Sequence, residues 1–172
     1  MLKQKINAGL SLLSTMLLLD HAIFLSVWML SGGMIPKSAG FMPWVLAGAV
    51  LSHAIISIDL AVSAHMGPKT RKSKTYTKLN RSTIIQRASG VLMMLFIPLH
   101  IAGAAGYMQP PKIVHAMFYT IVLMHAAVST SKAFITLGIG NAKFVKVVDI
   151  VVKVICAATL IAALTSFYLY RV

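Results

Sequence analysis

Six histidines stand out in a chain of 172 residues that is 58% hydrophobic. An ionisable side chain inside an apolar segment is costly and is by default a functional site. His21, His53, His100 and His125 each lie in the middle of a different long apolar stretch. Imidazole can be acid, base or metal ligand, and what shares its level decides which. His65 and His115 instead stand at the ends of apolar stretches, a position that suits an interfacial side chain. His65 follows His53 by 12 residues, about 120° around a helix and about 18 Å along it, so the two cannot serve one metal.

Helices must position these side chains. A membrane-spanning helix needs about 20 mostly apolar residues, and five such stretches run roughly over 7–30, 42–64, 88–108, 113–137 and 145–170. The expected fold class is therefore all-α, an integral membrane bundle of five transmembrane helices forming one domain over 1–172. Turn residues mark the breaks: Ser31-Gly32-Gly33 with Pro36, Gly67-Pro68, Pro110-Pro111, and Gly138 with Gly140. Pro98 falls inside the third stretch, where it kinks the helix or is accommodated by its neighbours. The first stretch is too long for a signal peptide and has no clean small-residue cleavage site, so it reads as a retained helix.

Charge orients the helices. Lys3, Lys5, Lys69, Arg71, Lys72, Lys74, Lys78, Arg81, Arg87, Lys132, Lys143 and Lys146 fall on one side of the spans, against Lys37, Lys112 and Arg171 on the other. Twelve against three places the N-terminus inside and the C-terminus outside. The net charge of +13 is thus a topology signal before it is anything else, and the basic connection over 66–86 suits anionic lipid or an acidic cytoplasmic partner. Nucleic acid is a poor partner, because Tyr76 is the one aromatic among these basic residues.

Depth then pairs the histidines. His21 and His100 each lie about 20 Å from the inner ends of outward-running helices, and His53 and His125 about 18–20 Å from the outer ends of inward-running ones. In a hydrocarbon core of about 30 Å the first pair occupies the outer half and the second the inner half. Two haems stacked one above the other, each held by two imidazoles from facing helices, need this arrangement. Such ligation leaves no open iron position and suits electron transfer.

Composition sets limits. At 11% charged residues, with Asp20, Asp59 and Asp149 as the only acids, the chain has few groups for hydrolytic chemistry. The single cysteine, Cys156, excludes a self-contained iron–sulfur cluster, thiolate zinc site or internal disulfide. The spans leave no room for a nucleotide-binding domain.

The stretch Ser82-Thr83-Ile84-Ile85-Gln86-Arg87-Ala88-Ser89-Gly90, followed ten residues after the glycine by His100, resembles the cytochrome b membrane anchors of succinate dehydrogenases and fumarate reductases. Thr83, Arg87, Ser89 and Gly90 match their Ser/Thr-x-x-x-Arg-x-Ser/Thr-Gly signature. His125 with Lys132 seven residues on is similar to the haem-ligand histidine and propionate-side basic residue of the single-chain, five-helix anchors. The resemblance implies an outer haem on helices one and three and an inner haem on helices two and four, the pairing that depth also gives. It implies a subunit that anchors a flavoprotein and an iron–sulfur subunit on the cytoplasmic side and passes electrons between them and quinone. Some diheme members carry a glutamate for proton movement two residues before the fourth-helix histidine; Leu123 stands there in this chain, so the resemblance does not carry that path.

Several residues take roles within this reading. Arg87, Thr83 and Ser82, at the inner mouth of the third helix, suit a haem propionate or quinone oxygen, although Ser82 also reads as an ordinary N-cap. Asp20, deep in the first span, reads as a buried carboxylate that handles protons at an outer quinone site or steadies a neighbouring helix. Asp59 reads as a partner for Lys132 or Arg87, and Asp149 as a local ion pair with Lys146 or Lys153. The 11 methionines read as packing, Trp28 and Trp44 as interfacial aromatics, and Gly103 and Gly106 as points of close helix approach. Two other readings of the histidines stay open: a b-type cytochrome of another quinone-linked dehydrogenase or hydrogenase, and a haem-free scaffold or small transporter that binds protons or a metal.

Overall fold

The computed structural model describes residues 1–31, 42–66 and 74–169, with side chains through 63 in the second segment and from 83 in the third. Among the described residues the structure is all-helical, with α1 (Leu2–Leu30), α2 (Met42–Met66), α3 (Lys74–Ala104), α4 (Lys112–Leu137) and α5 (Ala142–Leu169). All five are long and apolar enough to cross a membrane, α3 through its stretch Thr83–Ala104. The turn signals at 32–36 and 67–68, and the end of the fifth stretch at 170, lie outside the described residues.

Helix ends differ from the apolar stretches where polar residues continue a helix. α1 begins at Leu2 rather than 7, and α3 at Lys74 rather than 88, because lysine, arginine and glutamine are good helix formers that hydropathy ignores. The second half of the expected 66–86 connection is therefore helix, and Ser82 lies inside α3 rather than at its N-cap. α3 stops at Ala104 instead of 108 because Gly106 takes φ +79°. Tyr107 N–H there donates to Ala102 O at 2.9 Å and Gly106 N–H to Gly103 O at 3.1 Å, a Schellman closure that satisfies the last carbonyls. α3 is continuous through Pro98.

The chain divides into two compact units, Met1–Pro68 with Ser129–Val172, and Lys69–Val128. α4 contributes to both.

In the first unit α1 packs on α2 and α5. Ala8, Ser11 and Thr15 on α1, and Cys156, Thr159, Ala163 and Ser166 on α5, form buried stripes at i, i+3, i+7 spacing. Small side chains let helix backbones approach where apolar burial alone gives little drive. The hydroxyls return to their own helices: Thr15 donates to Ser11 O at 2.9 Å and Ser166 to Ala163 O at 3.0 Å. Lys3 pairs with Asp59 at 3.0 Å, fastening the start of α1 beside the second half of α2. That pair corrects the expected Asp59 partners; the local Asp149–Lys153 pair on α5 is as expected.

In the second unit α3 meets the first half of α4 through Phe96 and Phe118, ring centroids 6.4 Å apart. Gly103 gives room both to the connection that follows and to α4, since a Cβ there would stand 3.0 Å from Pro110 Cδ and 3.8 Å from His115 Cε1.

Candidate functional site

His53 sits half-buried on α2 with Nδ1 3.2 Å from the backbone oxygen of Asn7. A carbonyl can only accept, so Nδ1 carries the proton and Nε2 the lone pair. Asn7 also receives the Ser57 hydroxyl on Oδ1 at 3.1 Å, so one residue of α1 holds two side chains one turn apart on α2.

His125 on α4 is held the same way from α3. Its Nδ1 lies 2.9 Å from Ser89 Oγ, and Ser89 is 1% exposed. Ser89 Oγ also lies 2.8 Å from Ile85 O and 3.0 Å from Gln86 O, so its single hydrogen points to those carbonyls. With that hydrogen on a carbonyl, the hydroxyl accepts from His125 Nδ1–H, and Nε2 carries the lone pair. Gly90 completes the seat: a Cβ on it would lie 3.4 Å from His125 Cε1. The Ser-Gly of the signature thus orients one imidazole.

Each unit separates its histidines by several turns. His53 is level with Asn7, and His21 lies 14 residues further along α1, about 21 Å at 1.5 Å per residue. His125 is level with Ser89, and His100 lies 11 residues further along α3, about 16 Å. Each unit therefore holds two of the four mid-span histidines several turns apart along its own helices.

The surroundings of His100 in the second unit are aromatic. The His100 ring lies 4.8 Å from the Phe118 centroid and 6.3 and 6.5 Å from those of His115 and Tyr119. The sequence treated His115 as an interfacial residue, yet it shares this cluster. The signal was present, since His115, Phe118 and Tyr119 lie at i, i+3, i+4 on one face of α4. His21, half-buried on α1, shares a face with Ser14 seven residues earlier. Ser14 Oγ is buried and has no hydrogen-bond partner among the described residues, so a bound polar group or water would satisfy it.

No family model, curated protein or solved structure matches this chain. The residues must carry the functional argument themselves.

Imidazoles tethered through one ring nitrogen are the kind of side chain that a metal or a haem iron takes as ligand. Among the described residues no three His, Cys, Asp or Glu side chains converge as a multidentate metal site needs; a haem iron takes two axial ligands from protein. The other expected site residues are less uniform. Thr83 and Lys132 are half-buried, Arg87 is exposed, and the side chains of Ser82 and His65 lie outside the described residues. Asp20 corrects the expectation of a buried carboxylate: it is exposed, on the side of α1 away from the stripe of Ala8, Ser11 and Thr15. A helix buries only one of its faces here, and residue 20 falls on the other.

Proposed function

We propose that this chain is the membrane-anchor cytochrome b subunit of a succinate:quinone or quinol:fumarate oxidoreductase. The observation that carries the reading is the tethering of Nδ1 in both His53 and His125, which puts the lone pair of each ring on Nε2, the nitrogen a metal would take. Oxygen acceptors on Nδ1 are the ordinary outer support of ligating histidines, fixing tautomer and ring orientation. His53 with His125 would hold the inner haem, and His21 with His100 the outer one. Haem held there would supply one-electron transfer, and ligation by two imidazoles would leave no position for oxygen.

The chain's own residues then have separate tasks. Ser89, Gly90 and Asn7 orient the inner imidazoles, and Phe118 packs the His100 ring. Arg87 and Lys132 offer cations to haem propionates, and Thr83 and Ser82 offer hydroxyls to a propionate or a quinone oxygen. The basic inner side receives an iron–sulfur subunit and, beyond it, a flavoprotein, in the cytoplasmic membrane of a prokaryote with the N-terminus inside. Dicarboxylate chemistry belongs to the flavoprotein.

Haem content per chain tests this. Pyridine haemochrome and reduced-minus-oxidised spectra should give two b haems, with His53→Ala or His125→Ala losing one and His21→Ala or His100→Ala losing the other. A folded, haem-supplied preparation that binds none overturns the proposal.

A further inference from the structure

α4 and α5 are joined through residues 138–141. Gly138 takes φ +74° and closes α4, with Ile139 N–H donating to Phe134 O at 3.1 Å. Asn141 caps α5, its Oδ1 accepting from Phe144 N–H at 2.9 Å. The Phe134 and Phe144 rings meet edge to face across the connection, centroids 5.9 Å apart. At this junction, within the first unit, lies an open cavity of about 540 Å³ lined by Ser131, Ile135, Asn141, Val145, Lys146 and Asp149. Sites that hold small molecules are commonly about 300–1,000 Å³.

The lining carries one uncompensated charge. Asp149 is neutralised by Lys153, whereas the Lys146 ammonium and the Ser131 hydroxyl have no hydrogen bond or ion pair among the described residues. Asn141 uses Oδ1 for its cap, so the cation of the cavity is a side chain and not the start of α5. A cation beside a hydroxyl donor, with the one carboxylate already paired, suits an anion with several oxygens. Depth names the source of that anion. α5 has 28 residues, about 42 Å at 1.5 Å per residue, so a centred span stands about 6 Å beyond each face of a hydrocarbon core of about 30 Å. Lys146 follows the first residue of α5, Ala142, by four positions, about 6 Å along the axis, where hydrocarbon gives way to headgroups. Basic pockets between spans on the cytoplasmic side, at this level, take anionic headgroups.

We propose that this cavity binds one anionic phospholipid of the inner leaflet, its phosphodiester on Lys146 and Ser131 and the start of its chains against Ile135 and Val145. A zwitterionic lipid fits less well, because its ammonium would need a free carboxylate and Asp149 is engaged by Lys153. An acidic protein segment fits less well too, since bringing carboxylates to the edge of hydrocarbon is costly. A lipid carries its phosphate at that level already. The inference rests on the reading of α4 and α5 as membrane spans and not on haem, since no histidine lines the cavity.

Phosphatidylglycerol and phosphatidylcholine, titrated separately into the delipidated full chain in detergent and counted by native mass spectrometry, test this. The first phosphatidylglycerol should bind about five-fold more tightly than the first phosphatidylcholine, the scale of one basic side chain beside an anionic lipid. Lys146→Gln should abolish that preference. Lys143→Gln should keep it, because Lys143 carries the same charge three residues away but does not line the cavity. Lys153→Gln should reduce it, by leaving Asp149 to repel the phosphate. Circular dichroism should show the same helix content in all four proteins. Equal binding of the two lipids would overturn the proposal, as would equal losses in Lys143→Gln and Lys146→Gln, the mark of diffuse attraction. Displacement of phosphatidylglycerol by excess inorganic phosphate or by a hexaglutamate peptide would overturn it in favour of a free anion or a protein segment. Haem content should not change in these variants, and release of the chain from membranes by alkaline carbonate would instead overturn the spans, so each reading fails separately.

Discussion

Replacing Ser89 with alanine isolates the tether of His125. Ser89 Oγ back-bonds to Ile85 and Gln86, but those carbonyls keep their own helical N–H donors, so α3 loses nothing it needs. The loss falls on His125, whose Nδ1–H would be left without its 2.9 Å acceptor. A buried donor stranded in this way costs about 1–3 kcal/mol, which is about a five- to 150-fold weakening of whatever the imidazole holds. The range overlaps the 10–100-fold penalty typical of outer-shell changes at metal-binding histidines. Transfer of haem from the membrane protein to excess apomyoglobin should therefore speed up for about one haem per chain in Ser89→Ala. Ser89→Thr, which retains a hydroxyl, should restore the native rate, and helix content should be the same in all three proteins. Native haem retention in Ser89→Ala, alongside loss of one haem in His125→Ala, would refute the orienting role of Ser89.

Gly90→Ala should be tolerated, since its Cβ would lie 3.4 Å from His125 Cε1, but Gly90→Val adds branches that the ring must vacate; spectra should show one haem lost or broadened in the valine variant only. Asn7→Ala should leave the tautomer of His53 intact, because that bond goes to backbone, while freeing the Ser57 hydroxyl; the cost should be about 1 kcal/mol in denaturant stability with haem content unchanged. Gly106→Ala has open space around it but a φ of +79°, so it should cost about 1–2 kcal/mol of thermal stability through backbone strain alone. Lys3→Gln breaks an ion pair whose side chains are 72% and 48% exposed, so the loss should stay below about 1 kcal/mol and fade in high salt.

The five helices were legible because apolar runs of that length have few other uses, and Pro110-Pro111 and Gly138 marked where α4 begins and ends. What hydropathy could not show was where helix outlasts apolarity: the lysines before Asn7 and the basic turns from Lys74 are helical yet silent to any count of apolar residues. The four mid-span histidines were equally plain. Their holding groups were not, since a backbone oxygen at Asn7 carries no side-chain signal and Ser89 looked like one letter of a signature rather than an acceptor for a ring on another helix. Asp20 was misjudged for a related reason. Depth along a helix can be counted from sequence, but the face a residue presents depends on which neighbours the helix chooses.

Pro98 has a mechanical consequence. It lacks an N–H, so Met94 O, four residues earlier in α3, loses its helical donor. The turn between them has one bond fewer than any other in the apolar part of α3, and only six residues of helix, Leu99 to Ala104, follow it. That short cap carries His100. Its orientation is therefore coupled less to the rest of α3 than to the rings of Phe118 and His115, and the cap can rock with α4 while the segment bearing Ser89 stays still. Amide exchange should find this seam first, with faster exchange from Leu99 to Ala104 than from Ser89 to Leu95.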